Sequence, residues 1–167
     1  MSYSAGRSPG GAGRGRQEQP PAENRQVPSP RPIKYFEGGV LNAKLLDEEA
    51  EKVARELKGV TSSQLRRFYE DVLSLSRRLA LEAERSGNEA REQAFARLRP
   101  EFKMLKAKAV YTFGRADNRH KGDFMPLMQF FVDHVAAVKS VQDFDAFCKH
   151  FQAVVAFHKF HGDRGGR

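Results

Sequence analysis

From residue 33 onward apolar side chains recur every three or four positions, and no segment alternates apolar with polar residues convincingly enough to read as a strand. The pattern predicts an all-α fold, a compact bundle of five to six helices. A first helix is expected over 43–58, where Leu46, Ala50, Val53 and Leu57 share a face and Gly59 follows the last turn. Asp47, Glu48, Glu49 and Glu51 suit its electropositive end. The second helix has the clearest start: in Thr61-Ser62-Ser63-Gln64, hydroxyl and amide satisfy each other's orphan backbone donors as a capping box. Leu65, Phe68, Val72, Leu75 and Leu79 continue it as one stripe.

Ser86-Gly87-Asn88 predicts a turn, a short helix carries Phe95 and Leu98, and Pro100 predicts a break or kink. The next helix is expected to run to about Phe113, with Phe102, Leu105, Ala109 and Phe113 inward and Gly114 as a left-handed cap. Asp117, Asn118 and Gly122 mark a loop. Two further helices are expected over 123–141, with Phe124, Leu127, Met128, Phe131, Val135 and Val138 on one face, and over 143–160, with Phe144, Phe147, Phe151, Val154 and Val155.

Residues 1–32 break this pattern. They hold six of the chain's 8 prolines and five glycines with almost nothing apolar, so a disordered tail is expected there, ahead of a domain over 33–162 and a flexible basic end over 163–167. Five arginines against two glutamates give the tail a net +3, and Gly13-Arg14-Gly15-Arg16 resembles the Arg-Gly segments that add sequence-tolerant RNA affinity. A solvated tail with no partner fits as well.

Composition narrows the partners. A net charge of +8 on 167 residues favours polyanions, nucleic acid or an acidic membrane surface. Cys148 is the only cysteine, which excludes an internal disulfide or a cysteine-rich zinc site and suits a reducing, cytoplasmic setting. No run approaches the ~18 apolar residues of a membrane span, and the N-terminus lacks the apolar stretch of a secretory signal.

Catalytic and cofactor signatures are sparse: there is no Walker loop, dinucleotide turn, nucleophile elbow or zinc-protease helix. Cys148, His150, His158 and His161 do not follow a metal-binding spacing, and positions 148 and 150 face different sides of a helix. Phe157 and Phe160 read as core residues, and His120 and His134 show no evident partner. Arg115 and His120 match the loose Arg-x4-His pattern of small helical ribonucleases, in which Arg steadies the scissile phosphate and His acts on the 2′-hydroxyl. The basic residues are more coherent. Arg66 and Arg67 stand beside the capped helix start, and Lys108, Tyr111 and Arg115 repeat along one helix face. Arg99, Lys103 and Lys106 repeat along another, with Glu101 alone to oppose them, while Glu70 and Asp71 are the acids placed to neutralise Arg66 and Arg67. Planar rings beside cations, at Tyr111 and around Lys159, suit a strand held by phosphate and base.

Three segments form a familiar set: Thr61-Ser62-Ser63-Gln64-Leu65-Arg66-Arg67-Phe68, Leu105-Lys106-Ala107-Lys108-Ala109-Val110-Tyr111-Thr112-Phe113-Gly114-Arg115, and the stretch 147–162 ending in Phe157-His158-Lys159-Phe160-His161-Gly162. In that order and spacing the chain resembles the small subunit of type III-A CRISPR effector complexes, the Csm type, over about 35–162. The resemblance implies a helical, non-catalytic protein present in several self-associating copies along guide RNA and target RNA, beside a backbone subunit and a large subunit that carry the activities. It implies Gln64, Arg66, Arg67, Lys106, Lys108 and Arg115 as RNA-facing, to which the residue pattern adds Tyr111 and Lys159. The Arg/Gly/Pro tail departs from the family's shorter pattern. An Arg115/His120 ribonuclease and a basic module for DNA or anionic membrane are the competing readings.

Overall fold

The computed structural model describes residues 26–162, with the backbone alone at 85–90; the tail at 1–25 and the basic end at 163–167 lie outside the described residues. It is all-α, with one small exception. Gly38 and Gly39 take φ of 56° and 79°, the paired left-handed conformation of a two-residue hairpin turn. That turn joins β1 (Phe36–Glu37) to β2 (Val40–Leu41) in an antiparallel ladder. Two-residue strands are too short to show alternation, so the periodicity read helix-like from residue 33.

The expected first helix is split into a 3-10 turn (Ala43–Leu46), α1 (Glu48–Glu56) and a second 3-10 turn (Leu57–Gly59). Asp47, at φ −126° and ψ −96°, breaks the run. The break shifts the inward face, so Leu45 rather than Leu46 is buried, with Ala50, Ala54 and Leu57. Gly59 is not a left-handed cap. A Cβ there would stand 2.5 Å from Asp123 Cβ, so glycine is what lets the turn approach the third helix.

Helical backbone α2 runs from Ser62 to Arg115. It cannot be straight, because Asp71 and Lys108 are ion-paired although ~1.5 Å per residue would set them about 55 Å apart. Arg78 is paired with Glu101, one contact at 3.0 Å, and Arg97 with Glu82 at 2.6 Å. The three pairs share one antiparallel register, so α2 is a hairpin of two arms that reverses between Glu82 and Arg97. The turn expected at Ser86-Gly87-Asn88 falls in that interval, but the backbone at 86–88 is itself helical. The break expected at Pro100 is absent: helix passes through it, and Phe95, Leu98, Phe102 and Leu105 form one buried stripe across it. Gly114 is likewise helical, and Ala116 (φ −62°, ψ 140°) ends the arm in extended backbone.

α3 (Lys121–Ala137) and α4 (Val141–Gly162) replace the spans expected at 123–141 and 143–160. Their boundary is set by Ser140 and Asp143. Asp143 N–H donates to Ser140 Oγ at 3.1 Å, while Asp143 Oδ2 accepts from the amides of Lys139 and Ser140 at 2.9 and 3.1 Å. α3 is buried without a break from Phe130 to His134, as a helix surrounded by neighbours must be. α2 covers one side of it, and α4 packs against α1 and α2. The core is aromatic: Phe102, Phe131, Phe144, Phe147 and Phe151 are fully buried, each stabilising by up to about 3 kcal/mol.

Residues just ahead of the expected boundary at 32 are held by the domain. Arg31 donates from its backbone N and from Nε to the two oxygens of Asp133, at 2.7 and 2.8 Å. Gln129 Nε2 bridges Asp133 and the Ser29 carbonyl, at 2.7 and 3.0 Å. Residues 29–31 are thereby strapped onto α3.

Candidate nucleic-acid interface

The hairpin register decides which basic residues meet. Extended outward from Asp71–Lys108, it sets Phe68 level with Tyr111 and Gln64 level with Arg115. Here the two ends of α2 and the loop to α3 enclose an open cavity of about 460 Å³ lined by Gln64, Arg67, Lys108, Tyr111, Arg115 and His120. Five of the eight residues expected to face RNA are thus gathered from the two ends of a single long element.

Their contacts differ. Gln64 Oε1 accepts from Thr61 N–H at 2.9 Å and Gln64 N–H donates to Thr61 Oγ1 at 3.2 Å, so the capping box uses the carbonyl end and leaves the amide NH2 as the group for a ligand. Lys108 is paired with Asp71, and its ammonium lies 4.7 Å from the Phe68 ring centroid. It closes the hairpin as well as lining the cavity. The Arg115 guanidinium stands 5.5 Å from the centroid of Tyr111, whose side is 63% exposed. Arg67 is exposed at the rim.

Three expected residues lie elsewhere. Arg66 is one turn from Ser62, whose hydroxyl is beside Gly162 at the end of α4, so it faces away from the cavity. Lys106 is half-buried, and Lys159 is exposed on α4; neither lines the cavity. The acid-base pattern also differs from expectation, because Asp71 partners Lys108 across the hairpin rather than Arg66 or Arg67, and Glu101 partners Arg78 rather than the lysine row.

The loop residues were missed as a unit. Asp117 Oδ1 accepts from the amides of Arg119 and His120 at 2.9 and 3.1 Å, and His120 Nδ1 donates to it at 2.9 Å. His120 therefore has a partner after all. That hydrogen bond, with the carboxylate's charge, raises the His120 pKa above its ordinary value and lowers that of Asp117. With Nδ1 tied to Asp117, Nε2 is the ring atom left for a ligand, a donor when the ring is charged.

Three of the other histidines are structural. His134 Nδ1 is 2.6 Å from Tyr35 Oη, His150 Nδ1 donates to the Leu45 carbonyl, and His158 Nε2 donates to the carbonyls of Leu57 and Val60 at 3.1 and 2.9 Å. Burial pushes the Cys148 thiol up to about 12, so it is an un-ionised neighbour of the core. Among the described residues no group of three or more His, Cys, Asp or Glu side chains could hold a metal, and no helix is long and apolar enough to cross a membrane. Phe157 packs on the core as expected, whereas Phe160 is 53% exposed.

A family model described as Csm2 Type III-A matches residues 41–164. No curated protein and no solved structure matches the chain.

Proposed function

Because the chain belongs to the Csm2 type III-A family, the small subunit of the type III-A CRISPR Csm complex, we propose that it holds guide RNA and target RNA by their sugar-phosphate chains and cleaves neither. Association with other Csm subunits follows from the family. The observation that carries the RNA reading is the convergence of Arg67, Lys108 and Arg115 with Gln64 and Tyr111 on one open cavity. Guanidinium and ammonium groups on rigid helices grip phosphates without reading sequence, which is left to base pairing. Several copies would extend the grip along the strand, beside the backbone and large subunits.

The experiment is capture of target RNA by the reconstituted complex at several salt concentrations. Arg67→Glu and Arg115→Glu are each expected to weaken capture and to flatten the log-affinity against log-salt slope by about one unit. Unchanged capture and slope in both would overturn the reading.

One observation favours the ribonuclease alternative: Asp117 orients His120 so that Nε2 is free, on the same cavity as Arg115. Against it, the hydrogen bond that holds His120 also favours its charged form, which cannot take a proton. Incubation of the purified chain with labelled RNA decides: His120-dependent cleavage would establish an enzyme, and intact RNA would exclude this alternative.

A further inference from the structure

Resting on the reading of the chain as an RNA holder, we infer that the apolar trough beside Tyr111 receives one unpaired nucleobase of the bound strand, stacked on that ring. Tyr111 stands on a ridge. On one side is the cationic cavity of about 460 Å³, with Arg67, Arg115 and His120. On the other is a trough of about 610 Å³ between the two arms of α2, where Leu75, Met104 and Leu105 supply apolar lining. Tyr111 and Lys108 line both.

A nucleotide has this same division, with a charged phosphate at one end and a flat, largely apolar base at the other. A strand lying only along the cations would leave the ridge and trough wet. Tyr111 is 63% exposed and Met104 63%, an aromatic and a thioether two turns apart on the same arm, both lining the trough. Polar groups in the trough lining, Ser74 and the Arg78–Glu101 pair, suit a base edge beside the apolar Leu75, Met104 and Leu105. Base-aromatic stacking tolerates any base, since each presents a π face, so the subsite adds affinity without adding sequence preference. A fully paired duplex has no base to offer. The subsite therefore favours single strands, or a duplex with a displaced nucleotide.

The test compares two probes of equal length, an oligo-adenylate and an abasic ribose-phosphate oligomer, binding to the full chain. Wild-type protein is expected to bind the oligo-adenylate about tenfold more tightly. Tyr111→Leu, at an exposed position, should weaken oligo-adenylate binding about tenfold more than abasic binding, whereas Tyr111→Phe should keep the advantage. Arg115→Glu should weaken both probes. Equal losses on both probes in Tyr111→Leu, or no loss on either, would overturn the base subsite while leaving the phosphate grip standing. Failure of wild-type protein to bind either probe would overturn both.

Discussion

At the scale of single residues, the buried histidines show how much a side chain's job depends on distant backbone. Spacing and helix face tell against His150 and His158 as metal ligands, yet nothing near them in sequence points to their acceptors, the carbonyls of Leu45, Leu57 and Val60 about a hundred positions earlier. His134 likewise finds Tyr35 from the opposite end of the domain. Burial lowers the pKa of both His134 and His150, and for His134 the neighbouring His150 and Arg31 add to the effect. In the unfolded chain both rings regain an ordinary pKa, so below about pH 6.5 the unfolded state binds more protons than the native one. Stability is therefore expected to be insensitive to these two groups above about pH 7 and to fall as pH drops through 6.5 and lower. Urea midpoints measured between about pH 7.5 and 5.5 check this, and His134→Gln should give a shallower decline than wild type. A decline in His134→Gln as steep as that of wild type would show that the ring is not buried neutral. His120 has the opposite shift, so on acidification it offsets part of that decline and adds positive charge to the cavity.

At the scale of elements, what was legible is what local sequence encodes. The Thr61 capping box and the 65–79 stripe are both present, because a cap needs four residues and a stripe needs only a period. What was not legible needed a partner. Asp47 breaks the first helix, and Phe36–Glu37 finds its strand only across the Gly38-Gly39 turn. Pro100 is the sharpest disagreement. Its ring supplies no N–H to the Ala96 carbonyl and crowds that turn, which costs a helix interior about 3 kcal/mol. Helix persists because Phe95 and Leu98 before it and Phe102 and Leu105 after it are buried on one face, and breaking the arm would expose one pair or the other. Replacing the ring should then return part of that cost: Pro100→Ala is expected to stabilise the protein by about 1–3 kcal/mol in denaturant unfolding. Destabilisation instead would mean that the ring holds a bend on which the hairpin depends. The site shares this legibility. Its cations were visible as rows, but which rows meet follows from the hairpin register, and that register rests on Asp71–Lys108 and Arg78–Glu101, pairs that a reading along the chain assigned to nearer neighbours.

At the scale of the whole molecule, the all-α class followed from periodicity, and the family match over residues 41–164 takes in every described helix. The strap ahead of it lies outside that match and was assigned to the tail, since six prolines in 32 residues outweigh any local sign of order. Only the tertiary fold explains it. Asp133 is 4% exposed on α3, and its carboxylate accepts from the Arg31 amide, the Arg31 guanidinium and Gln129 Nε2. A buried carboxylate that loses its charged partner keeps its desolvation cost and loses its compensation. A chain starting at Gln26 retains every one of these donors, and its stability should match the full chain. A chain starting at Ile33 leaves Gln129 alone on Asp133. It should lose about 2–3 kcal/mol, less than for a fully buried pair because the Arg31 side chain is 64% exposed. Asp133→Asn in that shorter chain should recover part of the loss, since a neutral amide needs no counter-charge. Equal stability of the two truncated chains in denaturant unfolding would show that the strap rests on α3 without holding it.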